Sequence, residues 1–184
     1  VLLYQGTYDL EKDTVETEFY GRTMKLFVSE HMIGRIFDSV GRPIDDLPPI
    51  YSEYFLDING SPINPVGRVY PRNFIELGIS SIDVMNTIVR GQKIPIFTGA
   101  GLPNNELIGQ IIRQAHIIEE EEKEKFAIVV AFIGITHDDY IFFQRLFQET
   151  GTMNKVVMFV NLASDSSAER LITPRLALTT AEFL

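Results

Sequence analysis

Cysteine is absent from this 184-residue chain, and positive charge is scarce. Without cysteine the chain has no disulfides, no thiolate metal ligands and no cysteine nucleophile. This absence fits a reducing compartment, and the cytosol is the expected location. Lys and Arg together number 16 against 25 Asp and Glu, which gives a net charge of −9. Because no cluster of basic residues marks a phosphate-backbone footprint, nucleic acid is not an expected partner.

Long hydrophobic runs are also missing. No apolar segment reaches the roughly 20 residues that a membrane-spanning helix needs, so the chain is not expected to cross a membrane by itself. The opening Val1-Leu2-Leu3-Tyr4 is too short for a signal sequence. The chain has no initiator Met, and it stops at Leu184 within a helical pattern. We therefore expect it to be a fragment of a longer protein.

Hydrophobic residues make up 45% of the chain, which is typical of a globular protein. The sequence contains two different patterns of secondary structure. Near the start, 15–20 and 23–28 are β-prone runs separated by Gly21 and Arg22, and they predict two strands of a small all-β module. Turn-bearing segments follow between 33 and 45. Five prolines between 48 and 71, with an Asn59-Gly60 turn signal, predict an extended linker.

The second pattern alternates strand and helix. Short apolar runs predict strands, and amphipathic periodicity predicts helices, the last of them interrupted near Pro174. The predicted strands are 93–97, 126–133 and 156–160, and the predicted helices are 82–89, 105–117, 138–150 and 168–184. Repeated strand-helix units indicate an α/β fold, with a parallel sheet covered by helices on both faces.

Residues 91–115 have the layout of a phosphate-binding P-loop, which is a strand, a glycine-bearing loop and a helix. A working loop of the type G-x-x-x-x-G-K-[ST] surrounds phosphates with backbone N–H groups, reaches them with Lys and holds Mg²⁺ with a hydroxyl. Aligned on 99–106, the second Gly, the Lys and the Ser/Thr are replaced by Asn104, Asn105 and Glu106. The loop has lost its cation and gained a carboxylate. The predicted degenerate phosphate loop comprises Gly99, Ala100, Gly101, Leu102, Pro103, Asn104, Asn105 and Glu106.

Two interpretations of this loop remain open. In the first, it is a blocked or weakened phosphate site, where Asn105 still donates to a phosphate oxygen while Glu106 competes for the same helix N-terminus. In the second, it is an ordinary helix start, with Asn104 or Asn105 as the cap and Glu106 as a favourable first-turn acid. Without its neighbours, the loop favours the ordinary helix start.

The strand predicted over 126–133 leads into Gly134, at the carboxyl edge where open parallel sheets bind ligands. A hydrolytic NTPase needs a polar group near this edge to orient the attacking water, and Ile135 cannot supply one. Thr136, His137, Asp138 and Asp139 follow, and a His beside two carboxylates could bind a metal. Because no second His or Cys lies at ligand spacing, we predict a loop and helix cap there, and no metal site.

Two surface features have their own alternatives. The acidic run 119–125 offers a surface to a basic partner, although a solvated, mobile connection is the preferred interpretation. Arg170, Pro174 and Arg175 follow the strand ending at Val160. They are expected near the ligand-facing edge or a boundary between subunits, although an ordinary surface position is commoner for Arg.

Five segments together resemble the B subunit of the vacuolar-type (V-type) proton-pumping ATPases, including their archaeal relatives. The resemblance runs from about residue 15 to the last residue. The altered loop Gly-Leu-Pro-x-Asn-Glu is itself a mark of that subunit. The matching segments are VSEHMIGRIFD (28–38), LDINGSPINP (56–65), GQKIPIF (91–97), GLPNNE (101–106) and ITPRLALTTAE (172–182).

The resemblance implies a RecA-like P-loop nucleotide-binding core preceded by part of a small N-terminal β-barrel. Residues 1–45 would be the partial barrel and its exit, 46–80 an extended linker, and 81–184 a truncated α/β nucleotide-binding domain. Catalytic relatives have the phosphate-binding Lys and Thr at the positions of Asn105 and Glu106, and a catalytic Glu at the position of Ile135. The implied subunit is therefore non-catalytic, with no catalytic residue of its own.

The implied complex is an alternating ring of three catalytic A and three non-catalytic B subunits, which contacts a central rotor shaft and peripheral stalk subunits. ATP hydrolysis there turns the shaft and drives protons across a membrane. ATP or ADP with Mg²⁺ would bind at the A–B interface. The subunit would be peripheral, on the cytoplasmic side of a vacuolar or other endomembrane, and would meet the membrane only through the complex.

The family's Mg²⁺-associated Asp and the Arg that reaches the neighbouring catalytic site would both lie beyond Leu184. The opening barrel strands and the C-terminal helical domain also have no counterpart here. No nucleotide is therefore expected to bind this fragment tightly. Two alternatives are a self-sufficient NTPase with a divergent loop, in which Glu106 binds Mg²⁺, and a binding module that docks regulatory or cytoskeletal proteins through the acidic run.

Overall fold

A computed structural model describes residues 11, 13–70, 72–117 and 126–184. The strands are β1 (Lys25–Val28), β2 (Ile36–Asp38), β3 (Tyr54–Asp57), β4 (Phe74–Glu76), β5 (Ile88–Val89), β6 (His116–Ile117), β7 (Ile128–Ile135) and β8 (Val156–Leu162). The α-helices are α1 (Ser80–Met85), α2 (Asn104–Gln114), α3 (His137–Glu149) and α4 (Ser167–Phe183). Among the described residues, no helix is both long enough and apolar enough to cross a membrane.

The chain divides into two compact units, each made from separate stretches of sequence. The first unit takes the residues up to Gly60, Val129–His137 and Val157–Leu184. The second takes Ser61–Ile128 and Asp138–Val156.

The first unit is built on a sheet with the strand order β2-β8-β7. Strand β2 runs parallel to β8, and Phe37 lies opposite Phe159 with their rings stacked at 5.3 Å between centroids. β8 reads Val-Val-Met-Phe-Val-Asn-Leu and is buried from Val156 to Asn161, as expected of a central strand covered on both faces. The predicted α/β fold with a parallel sheet is confirmed.

Among the described residues, this unit also contains a two-stranded antiparallel ribbon, in which β1 pairs with β3. Its inward side chains, Leu26 and Val28, join a core that also takes residues from β2, β8 and α4. The buried members of this core are Leu26, Val28, Met32, Phe37, Ile58, Val157, Phe159, Leu176 and Ala177. The apolar face of α4 therefore packs where the ribbon and the sheet meet. Assignment of the ribbon to a β-barrel stays a prediction.

Helix α4 is continuous through Pro174, so the predicted interruption is wrong. Proline cannot donate the backbone hydrogen bond that a helix interior needs. Here the helix is held by its buried face, which includes Leu176 and Thr173. The Thr173 hydroxyl donates to the carbonyl of Glu169 at 2.9 Å and to that of Ser39 at 3.3 Å. Tertiary packing therefore overrides the local preference of proline.

The second unit contains an antiparallel sheet of order β5-β4-β6 and most of the remaining helices. Helices α2 and α3 approach closely at Gly109, where an added Cβ would lie only 2.4 Å from Cδ2 of Leu146. Phe143 and Phe147 of α3 are buried, with 5.9 Å between their ring centroids. The two helices thus approach through a small residue on α2, Gly109, and Leu146 on α3.

Two predicted strands do not form. Residues 15–20 are exposed and irregular, and Phe19 is 86% exposed. Residues 93–97 are also irregular, and Phe97 is 91% exposed. Their residue types favour strands, but β-propensity chiefly reflects packing against a neighbouring strand. In the described residues neither segment pairs with one.

Other predictions differ in their boundaries. The helix predicted over 82–89 begins at Ser80 and ends at Met85, and β5 follows it. The region predicted as an extended linker contains β3 and β4. Helices α2, α3 and α4 and strands β7 and β8 are confirmed, with ends that shift by at most three residues. The proposed division at residues 45 and 80 stays a prediction.

Replacing Gly41 with Ala is expected to lower the free energy of unfolding by about 1–3 kcal/mol. Gly41 closes the turn after β2 with φ = 87°, a left-handed conformation that strains residues with a Cβ. The new Cβ would also lie 2.8 Å from Cδ1 of the core residue Leu26. Chemical denaturation measures the loss. Gly67→Ala is the control, because its Cβ meets no atom within 4 Å. Equal effects of the two variants would contradict the prediction.

Candidate functional site

The predicted phosphate loop lies in the second unit and forms an exposed turn before α2. Gly101 has φ = 83°, and the N–H of Leu102 donates to the carbonyl of Gly99 at 3.3 Å. Helix α2 begins at Asn104, with Pro103 in the cap position and no side-chain capping hydrogen bond. The interpretation of Asn104 or Asn105 as the helix cap is therefore wrong. The other part of that interpretation, Glu106 as a first-turn acid, is correct, because Glu106 is exposed in the first turn of α2.

Asn105, at the position of the P-loop lysine, has a defined hydrogen-bond environment. Its Nδ2 donates to Oδ1 of Asp139 in the first turn of α3, at 2.6 Å. Its Oδ1 accepts from Nδ2 of Asn104 at 3.2 Å. These two hydrogen bonds, from Asn104 to Asn105 and from Asn105 to Asp139, therefore orient the side-chain amide of Asn105. They also join the start of α2 to the start of α3. The sequence pattern suggests Asp139 only as a possible metal ligand and does not predict this contact.

Negative charge surrounds this contact. Glu106 lies in the first turn of α2, and Asp138 lies beside Asp139 in the first turn of α3. Residues 99–106 include no Lys or Arg. Carboxylates in these positions are stabilised by the unpaired N–H groups at a helix start, which are the groups that would otherwise attract a phosphate. The described residues contain no group of three or more His, Cys, Asp or Glu side chains placed to hold a metal ion.

The carboxyl edge of the parallel sheet lies in the first unit. Strand β7 passes through Gly134, which has φ = 68°, and ends at Ile135. The N–H of Gly134 donates to Oδ1 of Asn161 on β8 at 3.1 Å, and Asn161 is completely buried. Its Nδ2 donates in turn to Asp165 at 3.3 Å, and the N–H of Leu162 donates to the same carboxylate at 2.6 Å. The backbone that presents Ile135 is therefore fixed by side chains.

No motif in the sequence marks Asn161 or Asp165 as site residues. The available signal was Asn161 itself, a polar residue near the end of an otherwise apolar strand. Buried amides are almost always hydrogen-bonded, so its position predicted a polar partner at the strand ends. The identity of that partner, the backbone of the neighbouring strand, depends on strand order.

The two arginines that follow β8, Arg170 and Arg175, lie in different environments. Nη2 of Arg170 donates to the carbonyl of Ala163 at 2.8 Å, and its guanidinium lies 3.8 Å from the Cβ position of Gly134. Arg170 therefore lies near Gly134 at the carboxyl edge of the sheet, which is one of the positions that the sequence left open, and its side chain is also exposed, as is commoner for Arg. Arg175 is exposed, and its Nη1 donates to Oδ1 of Asn59 at 2.6 Å. Pro174 is internal to α4. The acidic run 119–125 lies outside the described residues.

Comparison with known proteins places these observations in a family. The ATP synthase alpha/beta family, nucleotide-binding domain, matches residues 78–184. The B subunit of the A-type ATP synthase of Methanopyrus kandleri is 52% identical over all 184 residues, which are 18% of that protein. A solved structure described as a unique ATP synthase subunit, NeqB from Nanoarcheaum equitans, is 39% identical with a TM-score of 0.76. This match covers 88% of the chain and 38% of NeqB.

The chain therefore spans a minor part of each of these relatives, and the relative in Methanopyrus kandleri is a B subunit, as the resemblance predicted. The matched range contains the altered loop, the Asn105–Asp139 contact and the carboxyl edge of the sheet. The fold and the match of the family model to residues 78–184 agree. The chain therefore belongs to the ATP synthase alpha/beta family through its nucleotide-binding domain.

Proposed function

We propose that the chain is part of a non-catalytic B subunit of a rotary ATPase. Its role is to form an interface with a catalytic subunit and not to transfer phosphoryl groups itself. Phosphoryl transfer depends mainly on positioning and charge stabilisation, so a subunit that lacks the P-loop lysine can still contribute from across an interface.

The observation that carries this proposal is the environment of Asn105. The position where a catalytic P-loop has its lysine holds a neutral amide, and that amide donates to the carboxylate of Asp139 at 2.6 Å. Glu106, at the position of the Mg²⁺-binding hydroxyl, is an exposed acid. These residues do not fit a Mg-nucleotide, because the loop supplies neither a cation for the phosphates nor a hydroxyl for the metal.

The sheet edge supports the same function. Ile135 has no group that can orient water, and its position follows from the bond of the Gly134 N–H to the buried Asn161. The residue is held in place by its neighbours and is not the end of a loose strand. The loop thus lacks the lysine and hydroxyl that bind Mg-nucleotide, and the sheet edge lacks the polar group that orients water. Hydrolysis requires both.

The proposed partners follow from this role. The B subunit alternates with a catalytic A subunit in an A3B3 ring around a rotor shaft, held by peripheral stalk subunits. ATP or ADP with Mg²⁺ binds at the A–B interface, and hydrolysis drives protons across a membrane while the subunit stays on its cytoplasmic side. The name of the relative from Methanopyrus kandleri supports this placement, because that protein is part of an A-type ATP synthase.

The test is ATP hydrolysis by the purified 184-residue chain in the presence of Mg²⁺. We expect no release of phosphate above the buffer rate, and no change when Asn105 is replaced by Ala or Glu106 by Gln. A self-sufficient NTPase gives the opposite result, namely hydrolysis by the isolated chain that Asn105→Ala abolishes. That outcome would exclude the non-catalytic assignment.

A further inference from the structure

We propose that Asp139 is the residue that keeps phosphate away from the loop 99–106, because its carboxylate accepts from the amide of Asn105 and holds a negative charge beside it. This inference rests on the proposed function, in which the loop performs no phosphoryl transfer. It adds a specific cause for phosphate exclusion. The loss of the lysine removes an attraction, and the Asp139 carboxylate adds a repulsion at the same position.

Access does not explain why phosphate would stay away. Residues from Gly99 to Pro103 are exposed, and Leu102 is 57% exposed. Helix α2 has no side-chain cap, and the first N–H groups of a helix have no partner within the helix. Such a start attracts anions through its N–H groups and its dipole. A neutral asparagine beside it would add a further donor, so an opposing group is needed to exclude a phosphate.

The contact at Asn105 provides that opposing group. The amide is fixed at both ends, by Asn104 at 3.2 Å and by Asp139 at 2.6 Å. The Asn105 amide nitrogen has two N–H groups, and Asp139 accepts from one of them. A phosphate oxygen that accepts from the other would lie roughly 5 Å from the Asp139 carboxylate. Near a protein surface, repulsion of like charges at about that distance exceeds the net gain from one hydrogen bond. Asp139 is partly buried, which weakens screening by salt.

Neighbouring acids do not share this position. Asp138 is exposed in the same turn of α3, and Glu106 is exposed on α2. Their charges add to the negative field but are more fully screened by water and salt. If exclusion depends on the contact, removing the charge of Asp139 has a larger effect than removing that of Asp138. The chain therefore offers a matched control for a change of one charge.

The experiment is a calorimetric titration of the 184-residue chain with tripolyphosphate, which has the charge of a nucleotide tail without its base or sugar. We expect Asp139→Asn and Asp139→Ala to bind about tenfold more tightly than the unmodified chain. Asp138→Asn is expected to change the affinity by less than about twofold. Circular dichroism and melting temperature are recorded for each variant, and the two Asp139 variants provide independent opportunities to obtain a folded protein.

Three outcomes would overturn the proposal. One is equal gains for Asp139→Asn and Asp138→Asn, since the effect would then be one of net charge. Another is a gain for Glu106→Gln that matches or exceeds that of Asp139→Asn. The third is the absence of measurable binding in every variant. A second readout is the side-chain amide signal of Asn105 in NMR spectra, which should shift at a lower tripolyphosphate concentration in Asp139→Asn than in the parent chain.

These results are independent of the test of the proposed function. Hydrolysis by the isolated chain would refute the non-catalytic role, whatever the affinities for tripolyphosphate. Conversely, unchanged affinities would remove Asp139 as the cause of exclusion while the chain remained unable to hydrolyse ATP.

Discussion

Replacing Asp45 with Asn is expected to lower the free energy of unfolding of the chain by roughly 3 kcal/mol at neutral pH. Asp45 forms a two-pronged ion pair with Arg35, in which Oδ2 accepts from Nε and Oδ1 accepts from Nη2 at 2.9 Å. The two side chains are only 12% and 10% exposed. The substitution leaves the guanidinium of Arg35 largely buried without a negative partner, which is the costly outcome for a buried pair.

The backbone depends on the same carboxylate. Asp45 accepts from the N–H of Ile36 and of Leu47, both at 3.2 Å, while Arg35 also donates to the carbonyl of Pro48 at 2.9 Å. The pair thus connects the start of β2 with the segment that follows the turn. Urea denaturation measures the loss. Asp46→Asn is the control, because Asp46 is exposed and its φ of 58° is one that Asn tolerates.

The pH dependence of this difference has a defined sign. Burial raises the pKa of Asp45, but the hydrogen bonds and charge of Arg35 and the two backbone N–H groups lower it more, so the pKa lies below its ordinary 3.8. A carboxyl group with a lowered pKa stabilises the fold above its unfolded pKa of about 3.9 and loses that contribution as the pH falls through its folded value.

The free energies of unfolding of the parent chain and Asp45→Asn should therefore differ fully at neutral pH. The difference should begin to shrink as the pH falls below about 4. Asp57, whose pKa is lowered by the Thr23 hydroxyl and by Asn59, is present in both proteins and cancels in the comparison. A difference that stays constant down to about pH 2 would contradict the assignment of the effect to the ionised Asp45.

Replacing Asn161 with Ala is expected to lower the free energy of unfolding by about 2–4 kcal/mol. Asn161 is completely buried, and its amide accepts from the N–H of Gly134 and donates to Asp165. The substitution leaves both partners without this amide and creates a cavity in the central strand. A buried N–H with no acceptor is a large part of the expected loss.

Hydrogen exchange provides a local measurement for this prediction. The amide proton of Gly134 should exchange faster in Asn161→Ala by a larger factor than amides elsewhere in β7. Asn154→Ala is the control, because Asn154 is exposed and its loss should change stability by less than about 0.5 kcal/mol. Unchanged protection of Gly134 in Asn161→Ala would show that another group fixes this part of the strand edge.

Much of the fold was predictable from the sequence because its signals are local. Amphipathic periodicity located α2 and α3, and the uninterrupted apolar runs located β7 and β8. The residues of the altered loop were also readable directly, since the replacement of a lysine by Asn105 and of a hydroxyl residue by Glu106 needs no coordinates.

The errors have a common physical origin. Residues 93–97 and 15–20 have strand-forming side chains but no partner strand in the described chain, and Pro174 lies within a helix that its buried neighbours hold together. In each case the local preference was read correctly, and a non-local interaction or its absence decided the outcome.

The sequence by itself determined the family segments, the alternation of strand and helix, and the loss of positive charge from the loop, because these are properties of residue type and spacing. Only the tertiary structure decided that Asn105 donates to Asp139, that Asn161 fixes Gly134, and that Asp45 is paired with Arg35. These contacts join residues from 10 to 34 positions apart. Which of many carboxylates or amides meets a given partner depends on strand order and helix packing, and residue spacing along the chain does not specify either.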